Sequence, residues 1–117
     1  MTFNLLKNNN YILNTFCSKT NYTIIGGISK LLSYFKIHYK WNSIITYSIN
    51  DICNGYVYTI LGFKYIKNCK PNITYFNYKV SPKRIKNKQS KNTNIKYYEC
   101  YDSGYKQYLM KNNNLNI

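Results

Sequence analysis

The stretch T-I-I-G-G-I-S-K-L-L-S-Y-F-K-I-H-Y, Thr23 to Tyr39, decides the fold. Ile28, Leu31, Leu32, Phe35 and Tyr39 recur at helical steps, while Ser29, Lys30, Ser33 and Lys36 fall on the other side. One amphipathic helix is predicted over Ile28 to Tyr39, entered through Gly26-Gly27, with His38 partly exposed near its end. Outside it the period changes. Y-I-L-N-T-F (Tyr11 to Phe16) and S-I-I-T-Y-S (Ser43 to Ser48) are short apolar runs that read as strands, the second buried. A loop holding Asn50, Asp51 and Asn54-Gly55 then precedes a short helix, Tyr56 to Leu61, which stops at Gly62.

Further along, Phe63 to Ile66 and Ile73 to Lys79 read as strands separated by the turn Asn68-Cys69-Lys70-Pro71-Asn72. Val80 to Asn94, rich in Lys, Asn, Ser and Gln, reads as an exposed loop or frayed helix. Lys96 to Tyr101 and Tyr105 to Met110 alternate around Asp102-Ser103-Gly104 and are expected to form a C-terminal hairpin. No internal repeat is present. The order strand-helix-strand-helix-strand predicts an α/β (α+β) fold. It would be a single domain over residues 1–110, with a disordered tail over 111–117.

Composition bounds the chemistry. The 117 residues carry a formal net charge of +14 and include three acids, Asp51, Glu99 and Asp102. At 44% hydrophobic and 18% aromatic, the chain is too apolar for a disordered tail. It contains no apolar run of about 18 residues, so no membrane span is expected, and no apolar leader is recognised near Met1. An intracellular protein without a membrane partner is expected. With His38 the lone histidine, neither a carboxylate dyad nor a two-metal site is available, and no metal site is expected. Cys17, Cys53, Cys69 and Cys100 form no C-x-x-C pair and read as free thiols.

The cations are unevenly spread. Between Asp51 and Glu99 no acid occurs, yet Lys79, Lys83, Arg84, Lys86, Lys88 and Lys91 crowd together there, with Lys64, Lys67 and Lys70 before them and Lys96 after. The preponderance of Lys, Asn, Ile and Tyr fits an AT-rich gene. The scarcity of acids does not follow from that. A block of like charge is self-repelling unless a polyanion neutralises it, so Lys79, Lys83, Arg84, Lys86, Lys88 and Lys91 are candidate phosphate contacts. The flanking Tyr75, Phe76, Tyr78, Tyr97, Tyr98 and Tyr101 could stack on bases. Alternate burial on a strand is expected to take Tyr75 and Tyr98, and Trp41 reads as a core plug.

Two resemblances add to this reading. Tyr58-Thr59-Ile60-Leu61-Gly62-Phe63, after a glycine-led helix and a buried strand, resembles the acetyl-CoA-dependent N-acetyltransferase (GNAT) fold. The resemblance implies a partial GNAT-like mixed sheet in which a splayed strand and the following helix N-terminus hold the cofactor pyrophosphate. Here that would involve Gly26, Gly27, Ser29 and Lys30, and Tyr58 would protonate the departing thiolate. The family's R/Q-x-x-G-x-G/A is replaced by Tyr22-Thr23-Ile24-Ile25-Gly26-Gly27-Ile28, and no carboxylate stands as general base. Acetyl transfer with acetyl-CoA is therefore the alternative reading.

The second resemblance spans nearly the whole chain. Phe16-Cys17-Ser18-Lys19, Ile25-Gly26-Gly27, Ser29-Lys30-Leu31, Leu61-Gly62-Phe63, Lys70-Pro71-Asn72 and Tyr98-Glu99-Cys100-Tyr101-Asp102-Ser103-Gly104 occur in the order seen in a phage and giant-virus protein group. The match is to the C-terminal GNAT-like domain of that group. Members carry it behind a nuclease similar to very-short-patch-repair and homing endonucleases. The resemblance implies an accessory domain with no cofactor and no catalysis of its own, or a shortened remnant, whose partners are duplex DNA and a separately encoded nuclease. Met1 falls where that domain is already under way, so one or more opening strands are expected to be missing.

Overall fold

The computed structural model describes residues 1–77, 81–85 and 97–115, with the backbone alone described at 77, 81–85 and 115. Its elements are β1 (Thr2–Leu5), β2 (Asn10–Thr15), α1 (Gly27–His38), β3 (Ser43–Ile49), α2 (Tyr56–Ile60), β4 (Lys64–Cys69), β5 (Ile73–Asn77), β6 (Ser81–Ile85), β7 (Tyr98–Tyr101) and β8 (Tyr105–Lys111). The fold is α+β. A five-stranded mixed sheet runs β1-β2-β3-β8-β4, and a three-stranded antiparallel sheet runs β6-β5-β7.

The expected helix forms one residue earlier than its apolar run. Leu32 and Phe35 are buried, whereas Leu31, Tyr34 and Ile37 face outward, so its buried stripe is narrower than the spacing suggested. Gly26 enters it in the left-handed region (φ 68°), and the backbone N–H of Tyr39 closes it on the carbonyl of Phe35. Helix α1 joins β2 to β3, which lie parallel, as a crossover connection requires. The core lies on one face of the larger sheet. Leu13, Ile44, Tyr108 and Met110 meet Leu32 and Phe35 of α1, with Trp41 and Phe63, and Tyr58 and Leu61 pack at its edge. Trp41 is buried in this core, with its indole N–H donating to the carbonyl of Lys36 at 3.3 Å, so this side chain is a plug, as expected. The phenol of Tyr108 donates to the carbonyl of Asn54 (3.2 Å), and burial pushes its pKa above the usual phenol value.

Strand β1 was not anticipated. It turns back onto β2 through a 3-10 turn, Lys7–Asn9, in which Asn8 and Asn9 take positive φ. Asparagine tolerates this conformation better than most side chains, but no glycine marks the turn.

The C-terminal hairpin requires correction. Strands β7 and β8 are not paired with one another: β7 pairs with β5, and β8 lies between β3 and β4. Asp102-Ser103-Gly104 is an in-line connection. Cys69 faces Tyr105, and Ile73 faces Tyr101. The register is therefore unchanged across the interruption, and β4/β8 continues into β5/β7 as one antiparallel ribbon. The carboxylate of Asp102 accepts the N–H of Asn72 and of Gly104, both at 2.8 Å, and the N–H of Asp102 donates to the carbonyl of Asn72. These bonds carry the chain straight across where a hairpin would fold it back. Pro71 has no N–H to give, which accounts for the gap in the ladder.

Three boundaries also differ. The strand expected over Phe63 to Ile66 runs over Lys64–Cys69 and absorbs the start of the expected turn, while Phe63 is core. The expected loop from Val80 includes β6, and residues 78–80 and 86–96 lie outside those described. Strand β8 reaches Lys111. The tail expected to be disordered begins within it, and Asn112 donates through its side chain to the carbonyl of Trp41 (2.9 Å).

Candidate nucleic-acid interface

Of the six cations singled out from the sequence, Lys83 and Arg84 stand on β6, an edge of the smaller sheet, where β5 pairs with it through Tyr75 to Ile85 and Asn77 to Ser81. Lys79, Lys86, Lys88 and Lys91 lie outside the described residues. The ribbon thus brings Lys83 and Arg84 to the far end of a β-arm whose near end is β4 and β8. Of the aromatic residues around this block, Tyr75 is buried as expected. Tyr98 is not: it and Tyr101 are exposed on β7.

The three carboxylates have neutral partners. Asp51 accepts the N–H and hydroxyl of Ser103. Asp102 accepts Asn72 and Gly104, bonds that hold its carboxyl below the usual carboxylate range. Glu99 accepts the phenol of Tyr101 (2.9 Å), and that bond raises the Tyr101 pKa above its usual value. Glu99 lies on the smaller sheet and Asp102 at the ribbon junction, while Asp51, in the loop after β3, bonds to Ser103 of that junction. No strand of the five-stranded sheet contains an acidic residue.

A second group of cations joins Lys64 and Lys67, noted in the acid-free stretch but not as candidate contacts, to Lys111, which the sequence did not single out. Both helices pack against the Leu13–Ile44–Met110 face. The opposite face carries the exposed Lys64, Lys67 and Lys111, together with Tyr47 and Tyr105. The two rings meet edge to face at 5.3 Å. The Cys69 thiol beside Tyr105, with burial after it, raises that phenol's pKa. Alternation within each strand hints at two faces, but which of them the helices cover is a tertiary fact.

The alternative site assembles in part. Pairing of β2 with β3 stops at Leu13 and Thr46, although β2 runs to Thr15 and β3 to Ile49, so the two strands part at their carboxyl ends. Helix α1 follows β2 in the chain after residues 16–26. Its first turn is already engaged, however. Gly27 is buried, with its N–H on the carbonyl of Ile24, and a Cβ there would meet Ile24 at 3.1 Å. The Ser29 hydroxyl donates to the carbonyl of Gly26 (2.9 Å), while Lys30 is exposed. Tyr58 packs against Phe63 and Tyr108 in the core, with centroids 5.9 and 5.5 Å away.

The four cysteines are free, and among the described residues no group of His, Cys, Asp and Glu could hold a metal ion. No described helix is long and apolar enough to cross a membrane. Comparison with known proteins gives no matching family model, no matching curated protein and no matching solved structure.

Proposed function

We propose that this chain is a basic accessory domain that associates with duplex DNA through the β6 cations Lys83 and Arg84 and the lysines that follow them, Lys86, Lys88 and Lys91, performing no chemistry itself. The observation supporting this reading is that, among the described residues, all three carboxylates bond to neutral donors. Seventeen Lys and Arg against three acids give a net charge of +14, which no internal pairing can remove and an outside polyanion can meet. Phosphates answer it by releasing their own counterions, a sequence-independent attraction. Lysine binds phosphate as a point charge rather than as a bidentate fork, so backbone attraction is expected, with little reading of base sequence. Any strand cleavage would come from a separately encoded nuclease partner.

The test is titration of a labelled duplex at several salt concentrations. Five phosphate contacts give a slope of log affinity against log salt of about −4 to −5. Replacing Lys83, Arg84, Lys86 and Lys88 with Gln should make that slope shallower by about three to four and weaken all sequences alike. Unchanged affinity and slope would clear this segment of the role.

The parting of β2 from β3 ahead of Gly26 and Gly27 favours a second reading, acyl transfer from acetyl-CoA. The covered Gly27 and core-packed Tyr58 lend it less support. Thermal stabilisation by millimolar acetyl-CoA checks it, and the absence of any shift would remove it.

A further inference from the structure

The face of the five-stranded sheet that α1 and α2 leave uncovered has a definite layout, because paired residues share a face. One row reads Asn4, Ile12, Ile45, Leu109, Lys64 across the sheet; the next is Tyr47, Gln107, Lys67, and beyond it Ile49, Tyr105, Cys69. On the other side of the first row lie Asn10, Ser43 and Lys111. Lys67 and Lys64 on the edge strand β4, and Lys111 one strand in on β8, therefore occupy successive rows, and rows are about 7 Å apart, two residues of strand. An extended single strand repeats its phosphates on that scale. Across the same row from Lys67, two strand spacings or about 10 Å away, stands Tyr47, 39% exposed, with the ring of Tyr105 against it. Gln107 lies between Tyr47 and Lys67 and offers both an amide donor and an acceptor.

We propose that this face binds single-stranded nucleic acid, its phosphates following Lys67, Lys64 and Lys111 and its bases lying over Tyr47, Tyr105 and Gln107. Charge complementarity selects a polyanion, since the sheet's strands bear no carboxylate. The geometry selects the unpaired form. Duplex bases are already stacked on one another, whereas splayed bases present a π-face to an aromatic on an open sheet. This surface is independent of the β-arm assigned to duplex DNA above.

Anisotropy of a labelled short oligothymidylate, titrated with the full chain, tests it. Tyr47→Ala should weaken binding roughly 5- to 150-fold, while Tyr47→Phe, which keeps the ring, stays close to the parent. Lys64→Gln with Lys67→Gln should make the salt slope shallower by about 1.4. Far-UV circular dichroism and melting of each variant guard against misfolding. Equal affinity of Tyr47→Ala and parent for the oligothymidylate would overturn the proposal. So would binding to phosphatidylserine vesicles without binding to the oligothymidylate. Loss of duplex binding in the Lys83, Arg84, Lys86 and Lys88 variant, with oligothymidylate binding intact, supports two separate surfaces. Tyr47-dependent binding with an unaltered duplex titration leaves this face standing and the arm refuted.

Discussion

Gly104 is where the β-arm joins the sheet, and replacing it with Ala tests the junction directly. Its φ is 78°, and a Cβ built there would lie 2.4 Å from the carbonyl oxygen of Cys69, with Lys70 and Pro71 backbone atoms at 3.4 Å. Two costs add. Holding a non-glycine residue in the left-handed region costs about 1–2 kcal/mol. The obstacle is backbone, on a residue paired with Tyr105 next door, so relief means parting β4 from β8 and weakening ladder hydrogen bonds worth about 1 kcal/mol each. The sum is about 2–4 kcal/mol. Gly62→Ala separates the two terms. Gly62 also has positive φ (95°), but a Cβ there would meet only the flexible end of Met110 at 3.7 Å, leaving the conformational cost of about 1–2 kcal/mol. Urea unfolding followed by far-UV circular dichroism and Trp41 fluorescence measures both variants. If Gly104→Ala costs no more than Gly62→Ala, the backbone obstruction has no energetic consequence and the account of the junction is wrong.

Two more predictions concern stability. The Asp102 carboxyl is held below its ordinary value by the N–H groups of Asn72 and Gly104, so its contribution is present above the ordinary carboxylate pKa, about 3.9. It is lost as pH falls through the lower, folded-state value. Asp102→Asn should therefore flatten the acid limb of a stability-against-pH curve below about pH 4; identical limbs would contradict this. Ile44, with no exposed surface at the centre of the sheet, should cost about 2–5 kcal/mol on replacement by Ala. A loss below 1 kcal/mol in the same urea assay would mean that the core described around it is not the stabilising one.

Sequence and tertiary structure divided the work along a physical line. Helix α1 and strands β2 and β3 were legible because their signals are local: helical spacing after Gly26-Gly27, and short β-branched runs. Strand β1 escaped notice because its turn uses Asn8 and Asn9, without the glycine that usually advertises positive φ. The Asp102-Ser103-Gly104 hairpin was misread because a turn-like tripeptide also serves an in-line crossing when its carboxylate has a partner across the ribbon. That partner, Asn72, lies thirty residues away.

The candidate interfaces divide in the same way. The block from Lys79 to Lys91 stands out by charge along the chain alone. Lys64, Lys67, Lys111, Tyr47 and Tyr105 come from three strands distant in sequence, and only pairing through β8 makes them neighbours. Composition determined that this protein carries far more positive than negative charge and has a single histidine. What folding alone decided is which side of the sheet the helices cover, and hence which tyrosines and lysines face outward. A strand's alternation yields two equivalent faces, and only long-range packing makes them unequal.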